Sequence, residues 1–250
     1  MNRKTCMEIT GRYYSKWLGQ DGILLRDFKG VEFVYSAERN RVPAGYGTPF
    51  DLYVFCRKEQ IVISYGDKVG EQIDGIKNEI SKDMPAVQVK QILERFFERE
   101  AGHSVKYVFT GSVDISEATA LVEKDYSKYE SFWRKCHPQC KDTGWLKDYF
   151  DEMVQESMCI GIFAGDILVS CTDAPEMPYM KNEVQEIGIN TLSEYRKRGY
   201  ASAVCRKCLS EILSQGKVPQ WSADIWNKAS QKLAERVGFD RFGEVVFMTL

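Results

Sequence analysis

Apolar positions along the chain switch between a spacing of two and a spacing of three to four, and the switches mark out strands and helices. Val31-Glu32-Phe33-Val34-Tyr35 alternates as a strand does. The breaker-rich run from Asn40 to Pro49 reads as loop. Asp51 to Cys56 and Ile61 to Tyr65 are β-prone runs joined by the polar Arg57-Lys58-Glu59-Gln60, which predicts a hairpin. Ile73, Ile76 and Ile80 form one helical stripe, and Val89, Ile92, Leu93, Phe96 and Phe97 mark a second helix over 87–99. Val105 to Phe109 is a strand that ends in the turn-like Thr110-Gly111-Ser112. A domain boundary is placed there, giving an N-terminal α/β domain over 1–111 and a second domain over 112–250. No low-complexity linker separates the halves, so they are expected to pack together.

The second half is more regular. Ile115 to Cys136 carries helical spacing, with Ala118, Leu121 and Val122 inside and an aromatic stripe from Tyr126 to Trp133. Leu146 to Met153 predicts a short helix. Ser157 to Phe163 and Ile167 to Cys171 flank Gly165-Asp166 as an antiparallel hairpin. Glu186 to Thr191 is the next strand. Ala201, Val204, Cys205, Cys208, Leu209 and Ile212 then line one face of a helix.

Composition narrows the class without naming it. The 250 residues are 44% hydrophobic and 28% charged, values of an ordinary folded protein and not of a disordered or fibrous one. The net charge of −2 lacks the basic excess of a nucleic-acid binder, so any polyanion bound is expected to be small. No apolar stretch reaches the ~20 residues of a membrane span. Met1 to Cys6 carries positive charge with no apolar run behind it, so no secretory signal is read and a cytoplasmic location is expected. Eight cysteines in such a setting are expected as free thiols. Cys205-x-x-Cys208 lies on the apolar helix face, where cysteine acts as a small hydrophobe. Cys136, His137 and Cys140 have poor zinc spacing, and no metal is expected.

Charge is concentrated in one place. The turn Tyr195-Arg196-Lys197-Arg198-Gly199-Tyr200-Ala201 follows a strand and opens a helix. Free backbone N–H groups and the positive dipole end at such a terminus favour an anion. Gly199 permits a positive φ or a close approach of phosphate to backbone. The turn reads as a pyrophosphate cradle, with a solvated basic loop as the alternative. Neither a G-x-G-x-x-G nor a P-loop sequence is present.

Arg196-x-x-Gly199-x-Ala201 resembles the acyl-CoA pyrophosphate motif of the GNAT superfamily of N-acyltransferases. The likeness continues through Pro219-x-Trp221, Asn227, Ser230 and Gly238-Phe239. It is closest to a bacterial GNAT group with an additional N-terminal domain, and it covers about Ser112 to Leu250. The resemblance implies a mixed, mostly antiparallel sheet flanked by helices and acetyl-CoA as co-substrate. The implied activity is transfer of acetyl to a primary amine, most simply on a small molecule. A homodimer is compatible with it; nucleic-acid and membrane partners are not expected. The same likeness implies roles for single residues. The amides of Arg198 to Ala201 (Tyr200 included), with the Arg196 and Lys197 side chains, would hold the pyrophosphate. Gly188, Ile189 and Thr191 would pair with the pantetheine arm along a split strand, and Asn227 and Ser230 would complete the cofactor site.

The reaction needs a neutral amine, hence a base or a water chain that takes its proton. Glu186 stands where some family members place a carboxylate base, and Glu183 is a second candidate. Many members carry a tyrosine seven residues after the helix-opening asparagine to protonate the leaving thiolate; here that position is Ala234. Tyr179, Tyr195 or water would then serve, or the chain would be a non-catalytic acyl-CoA sensor. Asp224-Ile225-Trp226 is longer than the usual spacing before Asn227, and Trp226 is expected either to cap the acceptor side or to lie in the core. The aromatic stripe from Tyr126 to Trp133, and Tyr13, Tyr14 and Trp17, are read as core, with an acceptor-pocket wall as the alternative.

Overall fold

The computed structural model describes residues 1–250. The chain opens with helix α1 (Arg3–Trp17), capped by Asn2, whose side chain accepts from the Thr5 amide. Strand β1 (Gly30–Tyr35) precedes the hairpin of β2 (Leu52–Arg57) and β3 (Gln60–Tyr65). Helices α2 (Ile73–Lys77) and α3 (Ala86–Phe97) lead into β4 (Gly102–Phe109). The second half runs β5 (Thr119–Ala120), α4 (Tyr126–Cys136), α5 (Leu146–Gln155), β6 (Ile160–Ala164) and β7 (Ile167–Asp173). It continues through β8 (Val184–Glu186), β9 (Gly188–Thr191), α6 (Tyr200–Ser214), β10 (Val218–Asp224), α7 (Lys228–Arg236) and β11 (Phe239–Met248).

These strands form a seven-stranded sheet, β1-β3-β2-β11-β4-β10-β8, and a four-stranded one, β5-β6-β7-β9. Only β1–β3 and β8–β10 are parallel pairs. This is the mixed, mostly antiparallel α/β architecture flanked by helices that the sequence predicts. The last strand, β11, lies between β2 and β4 and joins the hairpin of the first half to the strands of the second. One face of the large sheet carries α1, packed through Tyr13, Tyr14 and Trp17 against Tyr53, Phe55, Val108 and Val245. The other face carries α6 and α7 over Val105, Tyr107, Trp221 and Phe239.

Two helices are shorter than their periodicity predicts. The segment 115–122 is not helical: Leu121 donates to the Cys159 carbonyl and β5 pairs with β6. Ala118 and Leu121 are buried by that extended path, so their spacing of three is not a helical one. Likewise α2 ends at Lys77, and Ile80 is buried from the turn beyond it.

Because β11 ties the hairpin to β4, both halves share one core across its strands. Phe55 is fully buried at that seam, with ring centroids 5.1 Å from Tyr14 and 5.8 Å from Phe242. Phe55→Ala is expected to cost about 3–5 kcal/mol. In urea it should shift a single transition, with fluorescence and circular dichroism coincident. Separate transitions for the two halves would contradict the shared core.

Candidate functional site

The site begins where one strand path divides between the two sheets. Val184, Gln185 and Glu186 pair in parallel with Val218, Pro219 and Gln220, and the Ile187 amide still donates to the Gln220 carbonyl at 3.1 Å. From Gly188 onward the path leaves β10 and pairs with β7 instead. The sequence reads Glu186 to Thr191 as one strand; the structure divides it at Ile187. Gly188 helps: a Cβ there would stand 3.0 Å from the Asp173 Cβ and carbonyl oxygen. The two sheets therefore part between β9 and β10, leaving an opening there.

Register decides which backbone groups face that opening. The Leu192 amide donates to the Val169 carbonyl, which sets the antiparallel alternation along β9. Gly188 and Asn190 exchange bonds with β7, while Ile189 and Thr191 turn their amides and carbonyls the other way. The backbone groups of Ile189 and Thr191 are thus left unpaired with β7, whereas the Gly188 backbone is directed to it. The Thr191 carbonyl accepts from Arg196 Nε at 3.2 Å, which pins the basic turn to the end of β9.

The turn itself offers a row of donors. Lys197 has φ 61 and Gly199 has φ 91, so the chain twice enters the left-handed region. Gly199 is the N-cap of α6, and no side chain caps the helix. The amides of Lys197 through Ser202 donate to no acceptor within the protein; the first to do so is Ala203, to the Gly199 carbonyl. Successive amides in such a turn make a concave anion site. A Cβ at Gly199 would meet nothing within 4 Å, so the space before these amides is open. Arg198 lies 5.3 Å from the centroid of the Tyr195 ring, and all three basic side chains of the turn are exposed.

On the α1 face of the sheet, polar side chains stand in a row. Even-numbered residues of β4 and β10 share this face, and Lys106 pairs across the strands with Ser222, Ser104 with Asp224. Lys106 Nζ donates to Ser222 Oγ at 2.6 Å. Burial lowers the Lys106 pKa, while the Glu186 and Asp224 carboxylates pull it back up. Glu186 shares the face from β8. Desolvation pushes its carboxyl above the usual carboxylate range, and the Lys106 charge opposes that rise. Tyr13, Tyr14, Tyr46 and Tyr53 are held above the ordinary phenol range by burial and then by other charges, Glu186 among them. A cavity of about 140 Å³ opens on this row; Ser104, Lys106, Ser222 and Asp224 line it on one side. Trp17, Tyr46, Phe50, Tyr53 and Phe247 line the rest.

The remaining predicted residues fall elsewhere. Glu183 forms an exposed ion pair with Arg12 at 2.6 Å, tying α1 to the start of β8. The Asn227 side chain accepts from the Ser230 amide as the cap of α7, and Ser230 Oγ accepts from the Trp221 indole at 3.0 Å. Ala234 is fully buried in the core under α7. Trp226 is 74% exposed, so it is not core. Tyr129 and Phe132 pack with α5 in the core, as predicted, whereas Trp17 serves both core and cavity. All eight cysteines are free, and Cys205 and Cys208 lie in the core.

Sequence reasoning missed Lys106, Ser104 and Ser222. Their signal was present: polar residues at even positions of two strands whose odd positions are Val105, Tyr107, Trp221 and Ala223.

Comparison with known proteins agrees with this geometry. The GNAT acetyltransferase family matches residues 87–246. An uncharacterized N-acetyltransferase, YdfB of Bacillus subtilis (strain 168), is 28% identical over 107 residues. That match takes in 41% of this chain and 40% of the relative. Two solved structures share the fold. A GNAT-family acetyltransferase from Colwellia psychrerythraea superposes with a TM-score of 0.51 at 16% identity, over 60% of this chain and 57% of its own. A GCN5-related N-acetyltransferase from Sphaerobacter thermophilus gives 0.51 at 15% identity, over 63% and 55%. The chain thus spans between two fifths and three fifths of the length of these relatives.

Proposed function

Since the chain belongs to the GNAT acetyltransferase family, we propose that it transfers acetyl from acetyl-CoA to a primary amine of a small molecule. The observation that carries this reading is the run of unpartnered amides from Lys197 to Ser202, set beside the opening between β9 and β10. Amides from Arg198 to Ala201, Tyr200 among them, would face the pyrophosphate, with Arg196 and Lys197 adding charge. Ile189 and Thr191 would pair with the pantetheine arm, and Asn227 and Ser230 would close the far side of the cofactor site. Residues 1–111 would act as the unit that walls the acceptor side through α1, β2 and the loop before it.

Bound acetyl-CoA supplies the activated acyl group; the chain's residues do the rest. The Ile189 amide offers a donor where the thioester oxygen gains charge. Glu186 takes the proton of the attacking amine, directly or through water. A thiol of pKa ~8.5 needs little help to leave, so Tyr179, Tyr195 or water suffices in place of the tyrosine that Ala234 replaces. The near-neutral net charge supports a small acceptor over a nucleic acid or a membrane surface.

The buried Ala234 favours a second reading, an acyl-CoA-binding sensor that transfers nothing. Calorimetric titration with acetyl-CoA, followed by thiol-release assays against a panel of primary amines, separates the two. Saturable binding with release dependent on an amine is expected. Binding without release on any amine would favour the sensor, and no binding would overturn both.

A further inference from the structure

The cavity on the α1 face holds unused donors alongside the Asp224 carboxylate. Lys106 Nζ has three N–H bonds and gives one, to Ser222. Ser104 lines the cavity, and its Oγ is buried without a hydrogen-bond partner. Behind the aromatic wall lies a third group of the same kind. Arg39 is fully buried, and none of its three guanidinium nitrogens has a partner. Its guanidinium carbon sits 5.2 Å from the Tyr53 ring centroid and 5.7 Å from that of Trp17. The faces of these rings already stabilise one cation, so they are poorly disposed to a second. Unsatisfied buried donors are costly, which makes a ligand rich in acceptors the natural complement.

Charge along the row sharpens this. In register, Lys106 and Ser222 lie between the Glu186–Gln220 pair and the Ser104–Asp224 pair. A bare carboxylate docked on Lys106 would therefore have a carboxylate to either side. A ligand that also carries an ammonium would be met favourably by these carboxylates, Asp224 in the cavity lining and Glu186 one pair further along the row. The aromatic walls and the volume of about 140 Å³ suit one flat or branched apolar group; a cavity of ~150 Å³ admits a benzene ring.

We propose that this cavity is the acceptor subsite for an amino acid with an aromatic or large aliphatic side chain, and that Lys106 anchors its carboxylate. The proposal rests on the N-acetyltransferase reading, because it places the acceptor amine at Glu186. Ser104 and Ser222 complete the carboxylate site, and Trp17, Tyr46, Phe50 and Tyr53 enclose the side chain.

The test is calorimetric binding to the full chain without acetyl-CoA. L-phenylalanine, L-tyrosine and L-leucine are compared with phenethylamine, tyramine and isoamylamine, which lack only the carboxylate. At least one amino acid is expected to bind about tenfold or more tighter than its amine, the worth of a charge-assisted hydrogen bond. Lys106→Met should erase that ratio, and Ser104→Ala should reduce it, which keeps the test open if the first variant does not fold. Equal or tighter binding of the amines, no binding of any amino acid, or a ratio unchanged in Lys106→Met would each overturn the subsite. Acetyl-CoA titration of the same protein reads the enzyme assignment separately. Amino-acid binding without acetyl-CoA binding would sink that assignment and leave the subsite standing.

Discussion

Gly199→Asp is expected to abolish coenzyme A binding, with at least a hundredfold rise in Kd by titration calorimetry. Two effects act together. Gly199 has φ 91, a backbone conformation in which an L side chain is strained by ~1–2 kcal/mol. The larger effect is electrostatic. Space around the position is open, so the new carboxylate would enter the concavity in front of the Lys197 to Ser202 amides. There it would both occupy the donors and repel the pyrophosphate. A unit charge 4 Å away near a protein surface is worth about 4 kcal/mol before salt screening. Gly199→Ala carries the strain without the charge and should lose much less affinity. Wild-type binding in Gly199→Asp would remove the turn from the cofactor site, and an equal loss in both variants would assign the effect to backbone strain.

Helix α6 and the basic turn before it could be read from the sequence because the helix buries one face and shows clean spacing. The hairpin of β2 and β3 is buried on both faces and was legible instead as two continuous apolar runs joined by a polar turn. Strand β11 is packed on both faces: Val245 joins the core under α1, and Val246 the one under α3. Its residues therefore show no alternation, and the strand that unites the molecule was not legible. Helix α1 buries Cys6, Thr10, Tyr13, Tyr14 and Trp17, a true helical stripe, but one made of residues that hydropathy ranks low. In the candidate site, the donor turn was visible because glycine and three basic residues fall at a helix start. The acceptor cavity was not, because Trp17, Phe50, Lys106 and Ser222 lie far apart in sequence and meet only when α1, the loop before β2, β4 and β10 come together.

Glu186→Gln is expected to lower kcat/KM by about 10²- to 10⁴-fold, the range for loss of a positioned base, while acetyl-CoA affinity stays near that of the wild type. The pH profile should carry the signature. Desolvation raises the Glu186 pKa, so the acid limb of the wild-type profile should fall above the ordinary carboxylate range and vanish in the variant. Glu183→Gln, which gives up only the exposed pair with Arg12, should cost far less. Stability should move in the opposite direction to activity. A carboxyl whose folded-state pKa is raised favours the folded state when protonated, and that contribution is lost as pH rises from the unfolded pKa through the folded one. At neutral pH the ionised Glu186 is thus held against its desolvation, with Lys106 only partly compensating. Glu186→Gln should therefore raise Tm at neutral pH, and the gain should disappear in acid. A carboxylate kept for its attraction to Lys106 would behave the other way, losing stability at neutral pH on becoming an amide. Lost turnover together with gained stability would identify Glu186 as a group held for chemistry; an unchanged rate with a lower Tm would make it a structural partner of Lys106.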